Sequence, residues 1–152
     1  MVGDIPETAA WARKFIVKGF LKSYYPEYRF DSSTEWDFAY ALENDLKVLK
    51  WLRPVPQQFS IYWDEGSKRY EPDFIVETDD TIYMCETKAA KDVNDIEVQK
   101  KAESAQAYCK VVTEYNSKHY GKPWKYVVIP HTAVQRSHSF AYILSISNLL
   151  LS

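Results

Sequence analysis

YEPDFIVETDDTIYMCETK, from Tyr70 to Lys88, reads as a β-hairpin, and the rest of the chain is arranged around it. Pro72-Asp73 opens the run FIVE, which is rich in β-formers. Thr78-Asp79-Asp80-Thr81 supplies a polar turn, and IYMCETK continues as a second strand. Side chains alternate across a strand, so Met84, Glu86 and Lys88 share one face while Tyr83, Cys85 and Thr87 take the other. Asp73 begins the neighbouring antiparallel strand, where it meets the end of this one. The hairpin therefore predicts two carboxylates and an ammonium at one spot, closing an otherwise apolar element.

Hard divalent cations want oxygen ligands, and Mg²⁺ keeps several waters while accepting one or two carboxylates and phosphate oxygens. Asp73 and Glu86 fit that demand, with the backbone carbonyl of Thr87 as a third ligand and Mn²⁺ as a substitute ion. Lys88 beside such a cation can orient or help deprotonate an attacking water, or balance charge at phosphorus. The plain alternative is a charged strand end at the solvent boundary, with Glu86 and Lys88 in a weak surface pair.

Pro72-Asp73 followed by Glu86-Thr87-Lys88 resembles the motif of the PD-(D/E)xK nuclease superfamily. Further segments agree: STEWDFAYALENDLKVLKWLR, QFSIYW, the hairpin, KAESAQAYC and WKYVVIPH look like the C-terminal endonuclease domain of type III restriction enzyme Res subunits. The likeness runs from about Ser32 to Ser139. It implies Mg²⁺-dependent hydrolysis of DNA phosphodiesters, with Asp73 and Glu86 on the metal and Lys88 assisting the water. It also implies roles outside the hairpin. Glu35 matches the acidic residue that a helix before the sheet often adds to such sites, with Glu43 as its competitor. As a bare residue, Glu35 in a first helical turn also complements the helix dipole without any chemistry. Lys101 in KAESA matches a lysine expected to touch a phosphate, and Lys100 is its neighbour. Ala89 departs from the Gly that often follows the lysine in type III relatives. The QxxxY pattern of the RecB-like branch is missing. No G-x-x-x-x-G-K-[ST] occurs, so the ATP-driven helicase/translocase that the family implies lies on sequence not included here. A DNA-methylating specificity subunit is the other implied partner.

At 152 residues, with 46% apolar and 16% aromatic content, the chain can build a proper core. Residues 1–30 read as an N-terminal helix (Ile5 to Leu21) and a linker, the tail of a preceding domain; residues 31–152 read as the nuclease domain. Cys85 and Cys109 carry neither a disulfide framework nor zinc spacing, which suits packing thiols in a reducing cytoplasm. No signal-peptide pattern is visible, and the C-terminal apolar run is too short and serine-rich for a bilayer. Net charge is −2, against a protein coated in positive charge, yet Val98 to Arg136 holds seven Lys/Arg against two Glu. A basic segment following an acidic metal site suits a phosphodiester substrate.

Ser32-Ser33-Thr34 caps a helix expected to reach Trp51. Gln57 to Trp63 alternates as a first strand, joining the hairpin in a three-stranded antiparallel meander. Asp92 to Tyr115 is a long helix burying Ile96, Val98, Ala102, Ala105, Tyr108, Cys109 and Val112. WKYVVI then adds a strand in parallel, and Ser137 to Leu151 is a last helix. The order predicts an α/β fold, a mixed four-stranded sheet with helices on both faces. The resemblance implies the restriction-endonuclease-like αβββαβ core. A competing function is a nuclease-shaped module without cleavage, used for holding DNA or docking subunits, to which Tyr24, Tyr25 and Tyr28 fit loosely.

Overall fold

The computed structural model describes residues 17–18, 21–23, 27–28, 30, 32–54, 60–63, 66 and 68–151. Ser32 takes extended backbone and its hydroxyl accepts the Glu35 N–H, so helix α1 spans Ser33–Glu43. The helix stops eight residues short of the expected Trp51. Asn44 turns its side-chain amide onto the Tyr40 carbonyl, and Asp45 accepts the Lys47 N–H at 2.9 Å. Such local side-chain bonds compete with the helical ladder. Leu46, within the span of the expected helix, is 95% exposed. The chain instead re-enters as a strand, β3 (Lys50–Leu52).

Two short strands, β1 (Val17–Lys18) and β2 (Glu27–Tyr28), pair antiparallel, so the end of the expected N-terminal helix is strand. Leu21, the last residue of that expected helix, is an exposed bend, and its residues 5–16 and 19–20, with Tyr24 and Tyr25, lie outside the described residues. Strands β4 (Ile61–Trp63) and β5 (Lys68–Tyr70) form a separate hairpin whose turn uses Gly66 at φ +84°. The central hairpin is β6 (Phe74–Glu77) and β7 (Ile82–Lys88). Helix α2 (Ile96–Ser117), capped by Asp95, leads to β8 (Trp124–Pro130) and then to α3 (Phe140–Leu151). The main sheet runs β3-β6-β7-β8, antiparallel except for the β7–β8 pair. The mixed four-stranded sheet is therefore as expected, but its first strand is Lys50–Leu52. The QFSIYW strand belongs to the side hairpin, and Gln57–Phe59 fall outside the described residues.

The alternation of β7 sorts the core into two layers. Phe74, Val76, Cys85, Val127 and Ile129 face α1 and α3, where Phe38 meets Phe74 edge-on at 4.9 Å. Met84 on the opposite face packs with Ile61 of β4 and with Ala105 and Cys109 of α2, alongside Tyr70, Ile75, Trp124 and Tyr126. Helices thus cover both faces. Ile96 and Tyr108 depart from the expected buried stripe of α2, lying 69% and 37% exposed.

Candidate active site

Register brings the first two acids together. Phe74 pairs with Cys85 and Ile75 with Met84, so the next position outward sets Asp73 opposite Glu86. Asp73 is half-buried and firmly oriented: its Oδ2 accepts the Thr87 N–H at 2.8 Å and the Thr87 hydroxyl at 3.1 Å. The neighbour of Glu86 thereby aims the partner carboxylate. Glu86 follows Met84 onto the α2 face and is buried, 9% exposed, and its Oε2 has no hydrogen-bond partner.

Burial, and then the negative charge of Asp73, push the Glu86 carboxyl up to about 9; Lys88 and Lys101 act against them. The two carboxyls lie close enough to hydrogen-bond when one carries the proton. Without a cation the pair holds on to a proton. With one, both can ionise. Among the described residues, no group of three or more His, Cys, Asp or Glu side chains is arranged to hold a metal. A cation here would rest on two carboxylates and water, the usual protein share for Mg²⁺. An orphaned buried oxygen beside an oriented carboxylate fits that donor set.

The two lysines reach this spot from different elements. Lys88 follows Glu86 along β7. Lys101 comes from α2, with its Nζ 5.2 Å from the Trp63 ring and 5.7 Å from the Tyr70 ring. The β4–β5 hairpin thus cradles the lysine, a task that the alternation of QFSIYW does not declare. Lys100, one residue away, is exposed.

Glu35 and Glu43 are both buried and both engaged. Glu35 Oε2 pairs with Arg53 Nη1 at 2.7 Å, and Arg53 lies over the rings of Phe30 and Phe74, so this ion pair sits against the residue following Asp73. Glu43 Oε2 accepts the Trp51 indole N–H at 2.9 Å, and the carboxylate also takes the backbone N–H groups of Leu21 and Lys22. It anchors the segment before α1 to β3, a tertiary task. Tyr70 and Tyr126, which sequence reasoning left unassigned, stand beside Glu86 and Asp73. The only hint was that Trp124, Tyr126 and Val128 share a strand face.

A groove of about 720 Å³ lies at the other end of the hairpin among Asp45, Thr78, Asp80, Arg136 and Phe140. It holds none of the residues gathered around Glu86. A phosphodiester backbone presented along a surface does not require a deep pocket, so the acidic pair is the better candidate. No helix among the described residues is long and apolar enough to cross a membrane.

Comparison with known proteins gives one match and two blanks. No curated protein matches the chain, and no solved structure does. The family model described as an endonuclease domain matches residues 21–125, a span holding α1, both hairpins and all of α2. That span exceeds half of the chain and contains Asp73, Glu86, Lys88 and Lys101, and so the protein belongs to the endonuclease-domain family of restriction-endonuclease-like nucleases.

Proposed function

We propose that this chain is a Mg²⁺-dependent DNA endonuclease domain, the cleavage module of a cytoplasmic type III-like restriction enzyme. The observation that carries the metal reading is Glu86 Oε2, a buried acceptor with no partner, set against the oriented carboxylate of Asp73. Asp73 and Glu86 would hold the cation, with the Thr87 carbonyl as the third protein oxygen. When bound, Mg²⁺ supplies positive charge that polarises the scissile phosphate and acidifies water. The protein groups do the rest. Thr87 fixes Asp73 through two hydrogen bonds, so its free oxygen is aimed in advance. Lys88 orients the attacking water and offsets charge that develops at phosphorus as the 3′ oxygen departs. Lys101 anchors a neighbouring phosphate from its aromatic cradle, and exposed Lys100 adds a second contact on α2. Glu35 joins the site only by loosening its pair with Arg53.

The type III setting is supported by the likeness of the segments from Ser32 to Ser139. It brings a helicase/translocase region consuming ATP in the full-length protein, and a methyltransferase subunit that supplies target specificity. A non-catalytic scaffold gives no reason to bury an unpartnered Glu86 beside a second acid, since such a group is costly.

Nicking of supercoiled plasmid at high protein concentration tests the proposal. The parent should nick with Mn²⁺ or Mg²⁺ and stop on chelation. Lys88→Ala should be slower by roughly a hundredfold or more, the loss expected on removing a group that stabilises developing charge. Equal nicking by parent and variant would remove Lys88 from the chemistry.

A further inference from the structure

Three buried polar atoms lack hydrogen-bond partners in one neighbourhood: the Tyr70 hydroxyl, the Tyr126 hydroxyl and Glu86 Oε2. Tyr126 lies on β8 beside Met84, on the face that also carries Glu86, and Tyr70 closes the β4–β5 hairpin above it. Both phenols feel the charges of Glu86 and Asp73, and they feel each other, yet neither hydroxyl forms a well-shaped bond. One mutual hydrogen bond would use only one of their two protons in any case. A phenol keeps its proton at neutral pH, so both hydroxyls are donors. Two donors and an acceptor gathered on one face without a well-shaped bond between them are the several partners that a water, admitted with the cation, wants.

We propose that Tyr70 and Tyr126 are positioning residues of this site, their hydroxyls donating to water held beside Glu86 around the bound cation. The inference rests on the metal-dependent reading of the Asp73–Glu86 pair. It makes the β4–β5 hairpin part of the site twice over, through the Lys101 cradle and through the Tyr70 hydroxyl. A phenylalanine would fill both positions without burying an unpartnered hydroxyl. The hydroxyls therefore serve the metal-free fold poorly, and a guest water is what compensates them.

Tyr70→Phe, Tyr126→Phe and the double variant test this by three measurements: melting temperature without metal, Mn²⁺ affinity by calorimetry, and nicking at saturating Mn²⁺. The expected result is a melting temperature equal to the parent's or higher, and unchanged Mn²⁺ affinity. Nicking should be slower by roughly tenfold to a hundredfold, the loss that misplacement of a reacting group produces. Parent-rate nicking by the double variant overturns the inference. A fall in melting temperature with a matching fall in activity overturns it too, because the hydroxyls then hold the fold. Should the parent neither bind Mn²⁺ nor nick, the reading of the acidic pair has failed and the inference falls with it. A parent that nicks beside unaffected Phe variants sinks only the inference.

Discussion

Glu86→Gln mimics the protonated form of the buried carboxyl permanently, so it separates the charge of Glu86 from its shape. In the unfolded chain this group ionises near 4.5, whereas in the fold burial and Asp73 hold the proton to about 9. Between those values the folded state binds a proton that the unfolded state has released. Stability therefore falls as pH rises through the window, and is fully present below its lower edge. The slope from this one group is about 1.4 kcal/mol per pH unit. From pH 6 to pH 8 the parent loses about 2.7 kcal/mol, or roughly 5–11 °C of melting temperature for a domain of this size. That figure is an upper bound, since local opening that wets Glu86 caps the cost. The Gln variant lacks this slope, and the three histidines cancel in the comparison because both proteins carry them. Thermal melts of the two proteins without metal, followed by circular dichroism across this range, measure the difference directly. Added Mg²⁺ should then raise the parent's melting temperature at pH 8, because the cation favours the ionised pair, and leave the variant's unmoved. Parallel melting-temperature curves for parent and variant would refute the burial argument for Glu86.

Two further substitutions address the acids outside the hairpin. Glu43→Ala removes the carboxylate that accepts from the Trp51 indole and from the Leu21 and Lys22 backbone N–H groups, so the urea midpoint should reflect a loss of about 2–4 kcal/mol, while nicking per folded molecule holds. A specific loss of nicking would return Glu43 to the chemistry. Arg53→Ala removes the guanidinium that faces buried Glu35, and unfolding should show a cost of about 3 kcal/mol, most of it recovered in Glu35→Gln/Arg53→Met. Nicking by that double variant at parent rate would exclude Glu35 from the site, and its loss would keep Glu35 there.

The hairpin was legible because two-residue periodicity leaves little choice. Phe74, Val76 and Cys85 must face one way to be buried, and a slip of one residue would turn that set out of the core. The same register sets Asp73 against Glu86, so the acidic pair is legible in the sequence itself. LKVLKWL, by contrast, satisfies helix and strand patterns alike. What decides it comes from elsewhere: the Asn44 and Asp45 side chains, the hold of Glu43 on Trp51, and the pairing of Trp51 with Val76. Ile61 and Trp63 likewise declared a buried face without declaring their neighbour. Their alternation is served equally well by α2 and β5 as by the main sheet. Pattern within an element specifies which side chains travel together; contact between elements specifies what they meet. Asp73, Glu86 and Lys88 belong to one hairpin and fall under the first rule. Lys101, Tyr70 and Tyr126 come from three other elements and fall under the second. Lys101 was reached only through family likeness, and the two tyrosines were not reached at all. The part of the site read from the hairpin is thus its charge, and the part left to tertiary structure is the setting that would order water around that charge.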